Sequence, residues 1–421
     1  GYAHVKGPQI ILGVGLDARP ITLHRTLGAR RQSAYTVAAE LHQDTYRVDT
    51  AYIGVHAEGD ADLLVHSCDL SLAGLTDWLE KPAFTVESPL TLGKSAFQVA
   101  LHPETIFDEP IAPADGFRLA LINDVRGFES HGRSFELQAA PFLRLTSREA
   151  TDFRAYAKLI IDLRVLFSLL EHRADSVDSI AVRHSAGTES SCEVLFDGVA
   201  SSPPKERASF RMFLPFFRVA PGFPAVLKTW FSTDGRFGGL RYEYFRTQLS
   251  DMPATPEDDI LTLTQLLEGY HRRTSTETLL QTALFDAQVR AVRAALPRAE
   301  APELSERLDQ WLRYANELTL RKRIKALLRG LDTSVLARLC ESPERFTQLA
   351  LDARNALTHN LTPETGLPSI SDPVGTALRL RGLLIAHLFL GVGVSPGAIT
   401  EGLASETRFQ GLPGGFRRVT L

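Results

Sequence analysis

The chain has 421 residues, of which 44% are hydrophobic and 23% are charged, and its formal net charge is −4. This length corresponds to about two or three domains, and the charge balance excludes a chain held to nucleic acid by bulk positive charge while allowing a local basic site. The three widely separated cysteines exclude a zinc ribbon and a disulfide scaffold. No stretch reaches the roughly 18–20 apolar residues of a transmembrane helix, and the start of the chain is not typical of a signal peptide. We therefore expect a soluble cytoplasmic protein with no membrane partner.

About the first 250 residues alternate between short apolar runs and turn residues. The pattern predicts strands at Ala61–Leu72, Ala83–Leu92, Ala96–Leu101, Phe117–Asn123, Phe135–Leu145, Ser179–Arg183, Ser191–Phe196, Arg211–Phe217 and Leu240–Thr247. One segment, Ala150–Ala174, has apolar residues at helical spacing and predicts an amphipathic helix. A loose glycine motif at Gly13 and Gly15 is followed by strand-like residues rather than a helix, so it predicts a turn and not a dinucleotide site.

The second half of the chain has a helical pattern. Thr255 is a typical helix N-cap, and Pro256 and acidic residues follow it in the first turn. Helices are predicted at about Glu257–Arg272, Thr276–Leu296, Pro302–Arg329, Thr333–Cys340, Pro343–His359, Pro373–Leu390 and briefly after Pro396. The sequence therefore predicts an α+β protein in which a β-rich domain, residues 1–250, precedes an all-α domain, residues 251–421.

The hexapeptide Arg354-Asn355-Ala356-Leu357-Thr358-His359 ends one of these helices. On an ideal helix, with about 100° between residues, an apolar stripe is formed by Phe346, Leu349, Ala350, Ala353 and Leu357. Asn355 and His359 share the opposite face, and Arg354 lies on its flank, about 140° from His359. Arg354 and His359 converge only if the helix loosens at its end. The alternative is a solvated or interface histidine.

This motif, late on a helix and followed by the apolar helix Pro373–Leu390, resembles the R-[N/H/D]-x3-H motif of the HEPN superfamily. Leu266–His271 and Leu318–Leu328 resemble the ApeA-like subset of that superfamily. In the first half, Leu70–Leu79 resembles the gL..WL segment of the β-rich domain that precedes HEPN in ApeA-type proteins. The resemblance therefore covers most of the chain and implies an all-α HEPN helical bundle after residue 250.

The resemblance implies a metal-independent endoribonuclease of anti-phage defence that acts by abortive infection and needs no cofactor. His359 would be the general acid/base, Arg354 would bind the scissile phosphate, and Asn355 would orient one of them. The products would carry a 2′,3′-cyclic phosphate and a 5′-hydroxyl. Because the active site of this family forms where two HEPN domains face each other, a homodimer or larger assembly is implied. The expected substrate is tRNA, with messenger or ribosomal RNA as alternatives.

Further candidates lie on two other helices. A basic run is a candidate RNA-binding face, formed by Arg321, Lys322, Arg323, Lys325 and Arg329. Its alternative is a solvated helix face. Glu268 and His271 are candidate supporting residues on the resemblance alone.

Two rival functions are open. One is a non-catalytic HEPN module for dimerisation or RNA binding, controlled by the N-terminal domain; in that case Arg354 and His359 are replaceable. The other is a carbohydrate-binding or hydrolytic β-sandwich, for which the sequence offers no convincing carboxylate pair. Our hypothesis for the β-rich half is that it senses a phage product and restrains the nuclease until infection.

Overall fold

The protein consists of two compact units, Gly1–Ser232 and Thr233–Leu421. The computed structural model describes residues 9–35, 40–87, 98–112, 116–130, 134–184, 191–196, 212–249, 254–296, 301–359 and 372–412. Among the described residues, an antiparallel sheet lies within residues 9–196, and the segments between residues 216 and 405 are mostly helical. The predicted α+β class, with a β-rich part before an all-α part, is confirmed. The domain boundary near residue 250 stays a prediction.

The first unit is built on an antiparallel sheet. Its strands are β1 Gln9–Val14, β2 Pro20–Tyr35, β3 Glu40–Ile53, β4 Val65–Leu72, β5 Phe84–Glu87, β6 Gln98–Leu101, β7 Glu104–Ala112, β8 Phe117–Asn123, β9 Val125–Ser130, β10 Ser134–Ala139, β11 Phe142–Thr151, β12 Val177–Arg183 and β13 Cys192–Phe196. Among the described residues, nine strands form one sheet in the order β1-β2-β3-β13-β12-β4-β11-β8-β7, and β5–β6 and β9–β10 form separate pairs. The Gly15 N–H donates to the Arg19 carbonyl (2.8 Å) in the turn from β1 to β2, so the glycine motif closes a hairpin.

Four helices accompany the described strands of the first unit. They are α1 Leu75–Leu79, α2 Phe153–Glu171, α3 Phe216–Val219 and α4 Phe223–Ser232. The core includes Trp78, whose ring lies 4.9 Å from that of Phe167 and 5.0 Å from that of Phe223. Trp78 also donates its indole N–H to the Leu214 carbonyl, 2.8 Å away. A buried tryptophan that has both apolar neighbours and a hydrogen-bond acceptor is well satisfied, which explains the tryptophan of the gL..WL segment.

The glycine of that segment has a separate structural reason. Gly74 donates its N–H to Asp175 Oδ1 (3.1 Å), and the carboxylate of Glu171 lies where a β-carbon on Gly74 would be. Glu171 is fully buried and pairs with Arg173 over 2.6 Å, and burial raises its pKa to about 8. Gly74 therefore makes room for a buried carboxylate at the start of α1.

The second unit is a helical bundle. Its helices are α5 Asp234–Tyr244, α6 Pro256–Thr274, α7 Thr282–Ala295, α8 Pro302–Leu312, α9 Leu320–Arg329, α10 Thr333–Leu339, α11 Pro343–His359, α12 Pro373–Leu390 and α13 Pro396–Ser405. Thr255 caps α6 as predicted, because its Oγ1 accepts from the Asp258 N–H (3.1 Å) while the Asp258 carboxylate accepts from the Thr255 N–H (3.4 Å). Helix α6 packs against α11 and α12, and α11 also packs against α9.

Helix α12 is the apolar helix of the bundle. It is long and apolar enough to span a membrane, with a mean hydropathy of 1.3, but 78% of this segment is buried inside the protein. This degree of burial is typical of the core helix of a bundle.

Four sequence predictions of secondary structure are wrong. The predicted strand Phe135–Leu145 is two strands, β10 and β11. The predicted strand Leu240–Thr247 lies in α5 and a following π-helix, Phe245–Leu249. In the predicted strand Arg211–Phe217, the described residues form bends and the start of α3. The single predicted helix Pro302–Arg329 is two helices, because Thr319 accepts a hydrogen bond from the Lys322 N–H and so begins α9 afresh.

We predict that Gly74→Ala lowers the free energy of unfolding by about 1–3 kcal/mol, the usual cost of forcing extra volume into a packed site. The new methyl group would overlap the Glu171 carboxylate. Gly59→Ala is the matched control, because nothing lies within 4 Å of a β-carbon at Gly59. Chemical denaturation of both variants measures the effect, and equal stability of the two would contradict the steric explanation.

A pH prediction follows from His387 on α12. Burial lowers the pKa of His387 to about 4, from an ordinary value of 6.5, and its Nε2 hydrogen-bonds to the Leu327 carbonyl over 2.9 Å. Between about pH 6.5 and pH 4, this histidine is protonated in the unfolded chain but stays neutral in the folded chain. The free energy of unfolding therefore falls by up to about 3 kcal/mol as the pH is lowered through this range. His387→Gln removes the titrating imidazole and with it this pH dependence. The wild type should therefore lose more stability than the variant over that pH window, and parallel curves would refute the prediction.

Candidate active site on helix α11

Helix α11 carries the Arg-x4-His motif and is fixed in rotation by its apolar side. Phe346, Ala350 and Ala353 are at most 3% exposed, whereas Asn355 is exposed. The apolar stripe predicted from the sequence therefore faces the interior. The first turn contains Glu344, whose negative charge suits a helix N-terminus.

The outward face of α11 has a polar stripe that the sequence analysis missed in part. Positions 348, 352, 355 and 359 fall within about 60° of one another on an ideal helix. Gln348 accepts from the Arg321 guanidinium (2.7 Å) and donates to Asp352 Oδ1 (2.7 Å). The i, i+4, i+7 and i+11 spacing was the signal that could have found Gln348 and Asp352. Arg321 is thus joined to α11 rather than left as an isolated surface cation.

Arg354 lies on the flank of this stripe. Its Nη1 donates to Asn355 Oδ1 over 3.2 Å, so the two neighbouring residues of the motif contact each other directly. Within the described part of the chain, Arg354 forms no ion pair with a carboxylate. Arg354 is partly exposed as a residue.

The end of α11 stays helical. The helix extends to His359, and the Thr358 hydroxyl donates to the Arg354 carbonyl (2.7 Å). The backbone therefore does not loosen between Arg354 and His359, and the two positions keep their separation of about 140°. The side chain of His359 lies outside the described residues.

Glu268, His271 and Arg323 form a buried network elsewhere in the bundle. Arg323 is 4% exposed and donates to the Leu318 carbonyl (2.8 Å) and to Glu317 (3.0 Å). Its Nη1 lies 3.3 Å from His271 Nδ1, and burial together with the Arg323 charge lowers the pKa of His271.

These contacts bear on two of the predicted site roles. Arg323 has its guanidinium inside the bundle, held by protein acceptors, so it does not share the exposed face of the basic run, and the RNA-binding role of that run stays a prediction. Glu268 pairs with Arg272 over 3.0 Å and lies 4.0 Å from Arg323. No described contact brings Glu268 or His271 to Arg354, and their supporting role stays a prediction.

The remaining three cations of the basic run lie around one cavity. The cavity has a volume of about 480 Å³. It lies between α9, α10, the start of α11 and the segment after α6. Its lining residues are Glu277, Leu318, Lys322, Lys325, Leu328, Arg329, Leu336, Pro343 and Glu344. Lys322, Lys325 and Arg329 are spaced i, i+3 and i+7, which places them on one face of α9. Within the described ranges, no three His, Cys, Asp or Glu side chains converge as a metal ion requires.

The chain was compared with known proteins. Residues 3–230 match the family described as ApeA N-terminal domain 1, and residues 261–397 match the family described as Apea-like HEPN. No curated protein and no solved structure gives a significant match. HEPN domains generally bind RNA and often dimerise, and the domain suggests an RNase-type role in anti-phage defence. Since the first match alone covers more than half of the chain and the second covers most of the helical unit, the protein belongs to the ApeA-like HEPN defence family.

Proposed function

We propose that the protein is a metal-independent HEPN endoribonuclease of anti-phage defence, with Arg354 and His359 as its catalytic pair and Asn355 as their positioning residue. The observation that carries the proposal is the Arg-x4-His motif on an outward-facing side of α11, within the matched HEPN domain. A structural role for Arg354 would favour an ion pair to a neighbouring carboxylate, and none is found among the described residues.

The reaction needs only proton transfer and charge stabilisation. His359 removes the proton of a ribose 2′-hydroxyl, and the freed oxygen attacks the adjacent phosphorus. The bond from phosphorus to the 5′-oxygen breaks, and that oxygen takes up a proton. Arg354 holds the phosphate and offsets the charge that builds on it in the transition state. The products are a 2′,3′-cyclic phosphate and a 5′-hydroxyl.

A second copy of the chain completes the site in this proposal. Positions 354 and 359 lie about 140° apart around a regular helix. One phosphate therefore cannot easily contact both Arg354 and His359 of the same α11. Two facing copies of α11 bring Arg354 of one copy towards His359 of the other. The proposed assembly is therefore a homodimer or a larger even-numbered assembly.

The proposed defence role also includes a substrate and a trigger. The expected substrate is tRNA in the cytoplasm of an infected cell, and its loss stops growth before the phage is released. The first unit acts as the sensor of a phage product and restrains the nuclease until that product appears.

The catalytic prediction concerns the motif itself. Arg354→Ala should lower the cleavage rate by about 10²–10³-fold, and His359→Ala by about 10²–10⁴-fold, when purified full-length protein is incubated with total bacterial RNA and EDTA. Arg345→Gln is the matched control, because Arg345 is an exposed cation on the same helix, about two and a half turns before Arg354. The cleavage ends are resolved by their chemistry.

The outcomes separate the two functions. Cleavage by the wild type and the Arg345 variant alone, with cyclic phosphate ends, supports the proposal. Equal cleavage by the His359 variant refutes the role of His359. A wild-type protein that binds RNA but cleaves none, even with extract of phage-infected cells, favours the non-catalytic HEPN module.

A complementation experiment tests the shared site. Arg354→Ala and His359→Ala proteins, each inactive alone, are co-expressed with different tags and purified as mixed assemblies. If each site takes its arginine and its histidine from different copies, the purified mixed dimers should show about half of the wild-type rate, because one of their two sites is intact. No restored activity contradicts such a site.

A further inference from the structure

The cavity beside α9 has the features of a nucleotide pocket. Its volume of about 480 Å³ falls within the roughly 300–1,000 Å³ of small-molecule sites. Leu328 is 1% exposed at its floor, and Leu318, Leu336 and Pro343 add apolar surface on its walls. A surface of this kind accepts the flat face of an unstacked base.

The positive charges that line this cavity favour the binding of an anion. Lys322, Lys325 and Arg329 line it together, and within the described part of the chain none of the three forms an ion pair. The Nε of Arg329 donates to the Lys325 carbonyl over 3.4 Å, which holds the guanidinium stem near the helix. Three cations on one helix face repel one another, so a bound phosphate would lower the energy of this face.

Two carboxylates also line the cavity. Glu277 and Glu344 form no ion pair with its cations among the described residues. A carboxylate accepts hydrogen bonds from the exocyclic amino group of a base. The lining therefore offers acceptors for a base edge as well as cations for a phosphate.

We propose that this cavity binds one ribonucleotide unit, with its base on Leu318 and Leu336 and its phosphate on Lys322, Lys325 and Arg329. The unit is either an unstacked nucleotide of the RNA substrate or a free nucleotide. The cavity reaches the first turn of α11, whereas Arg354 lies three turns further along that helix, so this is a second site and not the cleavage site. The inference rests on the proposed function only for the source of the nucleotide.

Binding is measured without cleavage. Full-length protein is titrated by calorimetry with 5′-AMP, 5′-GMP, 5′-CMP and 5′-UMP, and with ribose 5-phosphate and inorganic phosphate for comparison. A 2′-O-methyl oligoribonucleotide, which cannot undergo 2′-hydroxyl attack, then competes with the mononucleotide that binds best. Because this measurement does not depend on cleavage, the nucleotide-binding proposal can be refuted while the nuclease proposal holds. It can equally be supported while the nuclease proposal is refuted.

The variants separate a pocket from a charged surface. Lys325→Gln should weaken nucleotide binding by about tenfold, the value of one charge-assisted hydrogen bond, and Leu336→Trp should weaken it further by obstructing the apolar part of the cavity. Arg345→Gln is the control, an exposed cation beside Glu344 that does not line the cavity. If Leu336→Trp does not fold, the base dependence in the wild type still decides the question.

Two results support the proposal and two overturn it. Base-dependent binding that the oligoribonucleotide displaces assigns the pocket to RNA, and base-dependent binding that it does not displace assigns the pocket to a free nucleotide. Mononucleotides that bind no tighter than inorganic phosphate overturn the proposal. It is equally overturned if folded Leu336→Trp protein binds nucleotides like the wild type, since the cations would then act only as a charged surface.

Discussion

The rotation of α11 about its own axis is the constraint on which the candidate site depends. Phe346, Ala350 and Ala353 are buried against the bundle, and moving any of them to solvent would lose contacts that close packing provides. A slip of one residue would turn the helix by about 100° and would drive Asp352 towards the interior, where an unpaired carboxylate is costly. The apolar side therefore determines that Asn355 faces outward.

A comparable division occurs on α9, where neighbouring cations have opposite roles. Arg323 lies inside the bundle and is satisfied by Glu317, the Leu318 carbonyl and His271. Burying a charge without such partners would be unfavourable, so the network fixes which side of α9 faces inward. Lys322 and Lys325 are displayed at the cavity as a consequence. A buried arginine thus orients the helix that carries the exposed lysines.

The sequence was most informative where one local rule decided the structure. The N-cap at Thr255 and the apolar side of α11 depend on adjacent residues, and both were predictable. The break before Thr319 was not, because the apolar pattern continues across it. The role of Arg323 depends on His271 in a different helix, and the role of Gly74 depends on Glu171 about a hundred positions away. Composition and periodicity carry no information about such partners.

Helical geometry also limits how the motif can act. An arginine and a histidine five positions apart would meet more easily if the backbone unwound, but α11 is helical through His359. The contact between Arg354 and Asn355 turns the guanidinium towards the polar stripe without requiring that change. The two candidate positions lie about 140° apart around a regular helix. In the homodimer proposed above, a twofold axis would bring Arg354 of one copy to His359 of the other. On that proposal a single folded chain lacks a complete site, so assembly would itself control the activity.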